Sequence, residues 1–474
     1  MGLCERLDTC FRSKSRRWLS ILLGIIEIFW FSGYFYGFNA LNKPYQKLGV
    51  FDWLCNGSNC DQQSKMFSYA FIVASVVQLC LSTCTGLMLD KVGLRTTKLF
   101  SVSLMFVGGL MYAFTRRASS FLLFIGGPLV SWGSLSSLLC NYSINVMFPR
   151  FEAIAVSLLA GAYDSSSAIP FIIAKAYPSI SIQTSFLILS FVGLVYGVLF
   201  ALFFLTQYSS EMGKVWKSGL SEEDSFTNDE KKTHDEPKHE EISVEMRISI
   251  AVDDRYPTLK SCIQSWPFAL VCVWFMLGLL RFTYFLSQLS GVLKESFKND
   301  TNTADDLLDV SSAFSMCGFL VAPLTGTIMS TSLMTFKKKI SRRMQSTEEG
   351  LTDGDVYWTL LKGLAPVVTL LAVTSLIISC IIFVQEQRWI YYVTFTCLIF
   401  MRSILFSSTA TMVITAFPQK FFGTVLGVIN GIGGAFSLIQ YGLLELPLNI
   451  SNSICVAVSV ITFFPPLYIF IRRR

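Results

Sequence analysis

Histidine is almost missing. His234 and His239 are the only two in 474 residues, and both lie in a charged stretch. A Ser-His-Asp or Cys-His triad needs an imidazole beside its nucleophile, so none can exist in the apolar part of the chain. A His-ligated metal site there is equally unsupported, and no cofactor is implied. Charge is the second scarcity: 15% of residues are charged, against about 25% in an ordinary soluble protein. By length alone the chain would suggest about three soluble domains. Its composition argues otherwise, with 52% apolar residues, 41 Phe and a mean hydropathy of +0.53. The surface of a soluble protein needs more charge than this, so the sequence reads as an all-α, polytopic membrane protein.

A membrane-crossing helix takes about 20 mostly apolar residues. Twelve such stretches are present: Trp18–Leu41, Met66–Leu89, Leu99–Thr115, Phe121–Asn145, Ala153–Ala176, Ile182–Thr206, Trp266–Ser290, Leu308–Thr331, Tyr357–Val384, Trp389–Ala416, Phe421–Leu443 and Ile450–Ile471. The first is too long for a signal peptide and lacks a small-residue cleavage site, so it reads as a retained span. Charge is unevenly spread. Between Gln207 and Ser265 lie 13 acidic and 8 basic residues, 21 of the chain's 70 charges. This segment is poor in aromatics and is expected to lack a fold of its own. The organisation is therefore a terminus (1–17), six spans (18–206), a charged linker (207–265), six spans (266–471) and a second terminus (472–474).

With both termini cytoplasmic, 26 Lys and Arg fall on the inner side and 8 on the outer, with Lys175, Arg281, Lys362 and Arg402 inside spans. That bias sets the expected orientation, and it explains the net charge of +6 without a nucleic-acid partner. Sequons at Asn56, Asn299 and Asn449 all fall in loops this topology places outside, as acceptable N-glycosylation sites. A fourth, Asn141-Tyr-Ser, lies inside a span and reads as chance. Cys55 and Cys60 share the first outer loop, where oxidation can join them. The other eleven cysteines read as small buried apolar residues.

The halves carry traces of a repeat. Phe148-Pro149 precedes the fifth span and Phe417-Pro418 the eleventh, each followed by a glycine, Gly161 and Gly431. Thr85-Gly86 ends the second span and Thr325-Gly326 the eighth, an offset of 240. The loop between spans two and three reads Gly86-Leu-Met-Leu-Asp90-Lys91-Val-Gly93-Leu-Arg95. It resembles the G-x-x-x-D-(R/K)-x-G-x-(R/K) pattern of the major facilitator superfamily, whose plan is also six spans plus six related by a parallel repeat. The resemblance implies that fold. Asp90 can cap a helix or meet a basic residue across the half's interface, so Asp90 and Arg95 are candidates for a cytoplasmic latch. In the second half Ser330 stands where the Asp is expected.

An ionisable residue inside a span costs ~2.5–3.5 kcal/mol on insertion scales and so marks a candidate site. Glu27, Asp164, Arg281 and Arg402 qualify. Two acids and two bases can neutralise one another around a central cavity, or merely hold helices together. Asp164 and Arg402 suit pairing or gating. Glu27, flanked by Trp30, Phe31, Tyr34 and Tyr36, suits contact with a flat N–H-bearing ring. Asn141, Gln288 and Asn430 are neutral donors and acceptors that fit a neutral polar solute, or bond a neighbouring helix. Glycines 423, 427, 431, 433 and 434 in the eleventh span permit close packing and sliding.

Gly161-Ala-Tyr-Asp164-Ser165-Ser166-Ser167-Ala168, together with Phe417-Pro418, Phe422-Gly423 and Gly427, is similar to segments of solute carrier family 43. Glu27, Arg402, the first-loop cysteines and the long linker match that family's pattern too. The resemblance covers nearly the whole chain and leans towards the nucleobase branch, through Asp164 in the Tyr-Asp-Ser-Ser-Ser stretch. It implies a sodium-independent plasma-membrane facilitator of adenine, guanine and hypoxanthine, and the chain is expected to act as a monomer. Large neutral amino acids are the alternative solutes. A proton-coupled symporter or a non-transporting receptor using the linker are the other readings. An intramembrane enzyme is not expected, since no nucleophile–base constellation is visible.

Overall fold

The structure is a computed structural model and describes residues 14–54, 61–148, 151–209, 211–212, 236–297, 301–346, 352–383 and 387–472. Among these there is no strand. Twelve helices are long and apolar enough to cross a membrane. Spans 1 to 6 are Arg17–Lys47, Lys65–Lys91, Leu94–Phe114, Leu122–Met147, Glu152–Ala176 and Ile182–Phe204. Spans 7 to 12 are Trp266–Leu289, Gly318–Met344, Asp353–Ile381, Arg388–Ala416, Gln419–Glu445 and Leu448–Ile471. Cys55, Cys60, Asn56 and Asn299 lie outside the described residues, while Asn449 is exposed at the start of span 12.

Several boundaries differ from the sequence reading, and one difference matters chemically. Span 3 begins at Leu94, not Leu99, because Gly93 makes the turn instead of the polar Arg-Thr-Thr-Lys run ending it. Gly93 has φ +111°, and a Cβ there would press on the Gln207 backbone. The earlier start brings Arg95 and Lys98 into the helix. Span 8 also starts later, at Gly318, after a separate helix Thr301–Met316.

Span 1 is not a continuous α-helix. After Glu27 it passes through a π segment, Ile28–Ser32, then a 3-10 segment, Gly33–Leu41, and ends as α-helix over Asn42–Lys47. Gly33 and Gly37 let this segment lie against the span 5 backbone at Tyr163 and Ser167, where a Cβ would collide. Part of the linker read as lacking a fold is helical: Glu236–Arg255, followed by Leu259–Ile263. Arg247 pairs with Asp353 at 2.6 Å and Tyr256 meets the Tyr357 hydroxyl at 3.0 Å, so this helix sits on span 9.

The halves meet along two crossings, span 2 with span 11 and span 5 with span 8. Both are glycine contacts. A Cβ on Gly86 would strike the Gly423 carbonyl, one on Gly427 the Ser82 carbonyl, and one on Gly326 the Ile154 backbone. The repeat expected from the paired Thr-Gly dipeptides reappears in the hydrogen bonds. Thr85 Oγ1 lies 2.7 Å from Ser136 Oγ of span 4, and Thr325 Oγ1 lies 3.1 Å from Ser403 Oγ of span 10. The segments Ala168–Ala176 and Ile439–Glu445, at the end away from the linker, instead pack chiefly within their own halves. The seam is thus clamped from the linker end to mid-depth.

Candidate translocation site

A cavity sits in this seam at mid-depth. It is lined by Tyr36, Gln78, Leu135, Tyr163, Asp164, Phe406 and Asn430 among others, drawn from both halves. Its volume is about 20 Å³, room for a water molecule and not for a heterocycle. A solute of that size needs the cavity to widen.

Asp164 and Arg402 meet across the seam, with Arg402 Nε 2.8 Å from Asp164 Oδ1. The guanidinium also lies over the Tyr36 ring, 4.6 Å from its centroid. The pairing expected of these two residues is present. Beside Asp164, Ser165 Oγ donates to the Met316 carbonyl at 2.6 Å and accepts the Phe319 amide at 2.8 Å. It thereby satisfies backbone groups freed where span 8 begins. Gln78 donates to the Tyr163 hydroxyl at 3.0 Å, while its Oε1 has no partner. Asn430 reaches the same cavity from span 11.

The other residues proposed for ligand contact lie elsewhere. Glu27 is 1% exposed and pairs with Lys98, Nζ to Oε2 2.7 Å. Lys98 also donates to Ser137 Oγ at 2.6 Å and to Asn141 Oδ1 at 2.8 Å. Asn141 Nδ2 completes the ring by donating to Glu27 Oε2 at 3.0 Å. Glu27 and Asn141 thus belong to a closed network inside the first half. Tyr34 packs on Phe186 in an apolar cluster, away from the cavity that Tyr36 lines. Residues two apart on a helix cannot share a face, and at the 3-10 pitch of about 120° per residue positions 34 and 36 point apart. Gln288 borders a separate void of about 10 Å³ with Phe285, Tyr391 and Thr394 inside the second half.

The two latch candidates also separate. Asp90 accepts the Gly423 amide at 3.0 Å and the Thr424 amide at 2.6 Å, capping span 11 from the other half. Arg95 does not join it. Its Nη2 donates to the Leu205 carbonyl at 2.6 Å and its Nε to the Ala201 carbonyl at 3.3 Å, which caps span 6 within its own half. Arg281 meets no acid among the described residues and donates instead to Ser379 Oγ at 2.6 Å. Gln78, Tyr163 and Lys98 were missed from the sequence, and Tyr36 entered only as an aromatic flank of Glu27. Gln78 carried the same signal as Asn430, an amide in an apolar run; Lys98 was hidden by the misplaced start of span 3.

Two six-span halves meeting over a small polar cavity define a membrane carrier. The family model of the Major Facilitator Superfamily matches residues 56–440, and the chain belongs to that superfamily. It is a transporter and not an enzyme. It is 24% identical to equilibrative nucleobase transporter 1 of Bos taurus over 97% of this chain and 96% of that one. It is 21% identical to the Homo sapiens large neutral amino acids transporter small subunit 3, over 91% of this chain and 88% of that one. The proton:xylose symporter XylE shares the fold, with a TM-score of 0.61 at 11% identity over 96% of this chain and 95% of that one.

Proposed function

We propose that this carrier moves purine nucleobases, adenine, guanine and hypoxanthine, by sodium-independent facilitated diffusion across the plasma membrane. The observation that carries the reading is the make-up of the seam cavity. Tyr36, Tyr163 and Phe406 offer aromatic surface, and Gln78 and Asn430 offer amides from opposite halves. Among the described wall residues the charged one, Asp164, is already neutralised by Arg402. A flat, uncharged heterocycle is matched by ring contact and amide pairing and needs no counter-ion. The bovine nucleobase relative, similar along nearly the whole chain, supports the same solute class.

Transport proceeds by alternating access. Asp90 and the glycine crossings hold the linker end shut, and their release, with separation of Asp164 from Arg402, opens the cavity to that side. The linker end is cytoplasmic, with both termini, and Asn56, Asn299 and Asn449 are glycosylated outside, where Cys55 and Cys60 form a disulfide. The carrier works as a monomer.

Leucine-like amino acids are the second reading. The human amino-acid relative favours it, and so does the Asp164–Arg402 pair, whose separated charges would suit an ammonium and a carboxylate. Uptake of radiolabelled adenine and leucine into cells expressing the chain decides between them. Saturable adenine uptake, unchanged without sodium or a pH gradient, is expected. Saturable leucine uptake with no adenine uptake would overturn the reading.

A further inference from the structure

Of the buried charges inside the spans, Glu27 has Lys98 and Asp164 has Arg402. Arg281 of span 7, 1% exposed, has no carboxylate within ion-pair distance among the described residues. Its Nε donates to Ser379 Oγ, while Nη1 and Nη2 have no hydrogen-bond partner. What surrounds it is polar but uncharged. Ser379 Oγ lies 2.9 Å from Ser459 Oγ, which lies 2.8 Å from Ser375 Oγ. Cys455 and Tyr284 flank the guanidinium, and the Phe285 ring stands 5.7 Å away.

A second group points the same way. Asn452 lies on span 12 one turn from Cys455 and on the same face, since residues three apart neighbour each other on a helix. It is 1% exposed, and neither its amide nitrogen nor its oxygen has a partner. A desolvated guanidinium with open Nη groups is stable only where negative charge or strong acceptors meet it. Arg281 brings a cation and Ser379 a hydroxyl, and Asn452 adds an amide N–H₂ from the Cys455 face of span 12; groups of this kind coordinate an anion and repel a cation. None of the residues lining the seam cavity comes from spans 7, 9 or 12. The site therefore lies apart from that cavity.

We propose that Arg281, Ser379 and Asn452 bind a small monovalent anion, chloride in ordinary media, at the back of the second half between spans 7, 9 and 12. The anion is a fixed component of that half rather than a transported solute. The test uses the full-length protein purified in detergent. Its thermal unfolding is followed while sodium chloride replaces sodium gluconate at constant ionic strength. A saturable rise in Tm with chloride is expected, absent with gluconate and abolished in Arg281→Gln. Should that variant not fold, Asn452→Leu and Ser379→Ala decide, each weakening the apparent chloride constant fivefold or more. Equal Tm in both salts overturns the proposal. So does a chloride response that persists undiminished in the variants.

Discussion

Lys98 Nζ and Glu27 Oε2 stand 2.7 Å apart in a site where both side chains are essentially sealed from solvent. Two further partners, Ser137 and Asn141, complete the network. Removing one member leaves the other as an uncompensated buried charge, at a cost of ~3–5 kcal/mol. Glu27→Gln is therefore expected to lower the unfolding temperature sharply. The double variant Glu27→Gln with Lys98→Gln, neutral in both positions, is expected to recover most of the loss. Thermal unfolding of the three proteins side by side checks this. A double variant no better than Glu27→Gln would show that charge balance is not what the pair supplies.

Asp90 places a carboxylate on two amides at the start of span 11, across the seam. Hydrogen bonds to a charged group contribute ~1.5–3 kcal/mol each. Asp90→Ala should therefore raise the population open at the linker end by tenfold or more. With Thr424→Cys as a reporter, its alkylation by a membrane-impermeant maleimide applied from the linker end should accelerate to match. Equal alkylation rates with and without the Asp90→Ala substitution would mean that the seam is held elsewhere.

Glycine geometry makes a sharper demand. Gly86 faces the Gly423 carbonyl and Gly427 the Ser82 carbonyl, backbone that cannot move aside. Gly86→Val and Gly427→Val should each cut uptake to below a tenth at equal surface expression, because the closed state cannot form. Gly442 has nothing within 4 Å of the position a Cβ would take, and Gly442→Ala should leave uptake unchanged. Normal uptake by Gly86→Val would remove the seam from the transport cycle.

The fold was legible because its signal is long and additive. Each span is an apolar run of about 20 residues, and charge asymmetry counts over the whole chain. The site was only partly legible. Asp164 and Arg402 stood out because an ionised group in a span is costly whatever it touches. Which face a residue takes was not readable where the helix changed its pitch. Tyr34 and Tyr36 look alike in sequence, and the phase set by the π segment Ile28–Ser32 and the 3-10 segment after it decides which one meets the cavity. Lys98 failed for a different reason. The Arg-Thr-Thr-Lys run is polar enough to end an apolar window, yet its lysine is buried by an acid 71 positions away. Such a partner lies beyond any local pattern.

Gln78 gives the most specific test of solute recognition. It is 1% exposed, its Nε2 is held by the Tyr163 hydroxyl, and its Oε1 is unpartnered beside the cavity. A side-chain amide can accept from the amino group of adenine while donating to the neighbouring ring nitrogen, a pairing that discriminates by ~1–3 kcal/mol. Gln78→Leu removes both functions with little change in volume. Adenine KM is expected to rise about tenfold, equivalent to ~1.4 kcal/mol of lost binding. The maximal rate should hold, as for an interaction made equally in the bound and translocating states. Gln78→Glu keeps the acceptor and loses the donor, so its KM should fall between the two. Concentration-dependent uptake of adenine by the three chains measures all of this. If the unaltered chain transports adenine and Gln78→Leu matches it in KM, the amide does not read the base, and Asn430 from the opposite half becomes the residue to vary.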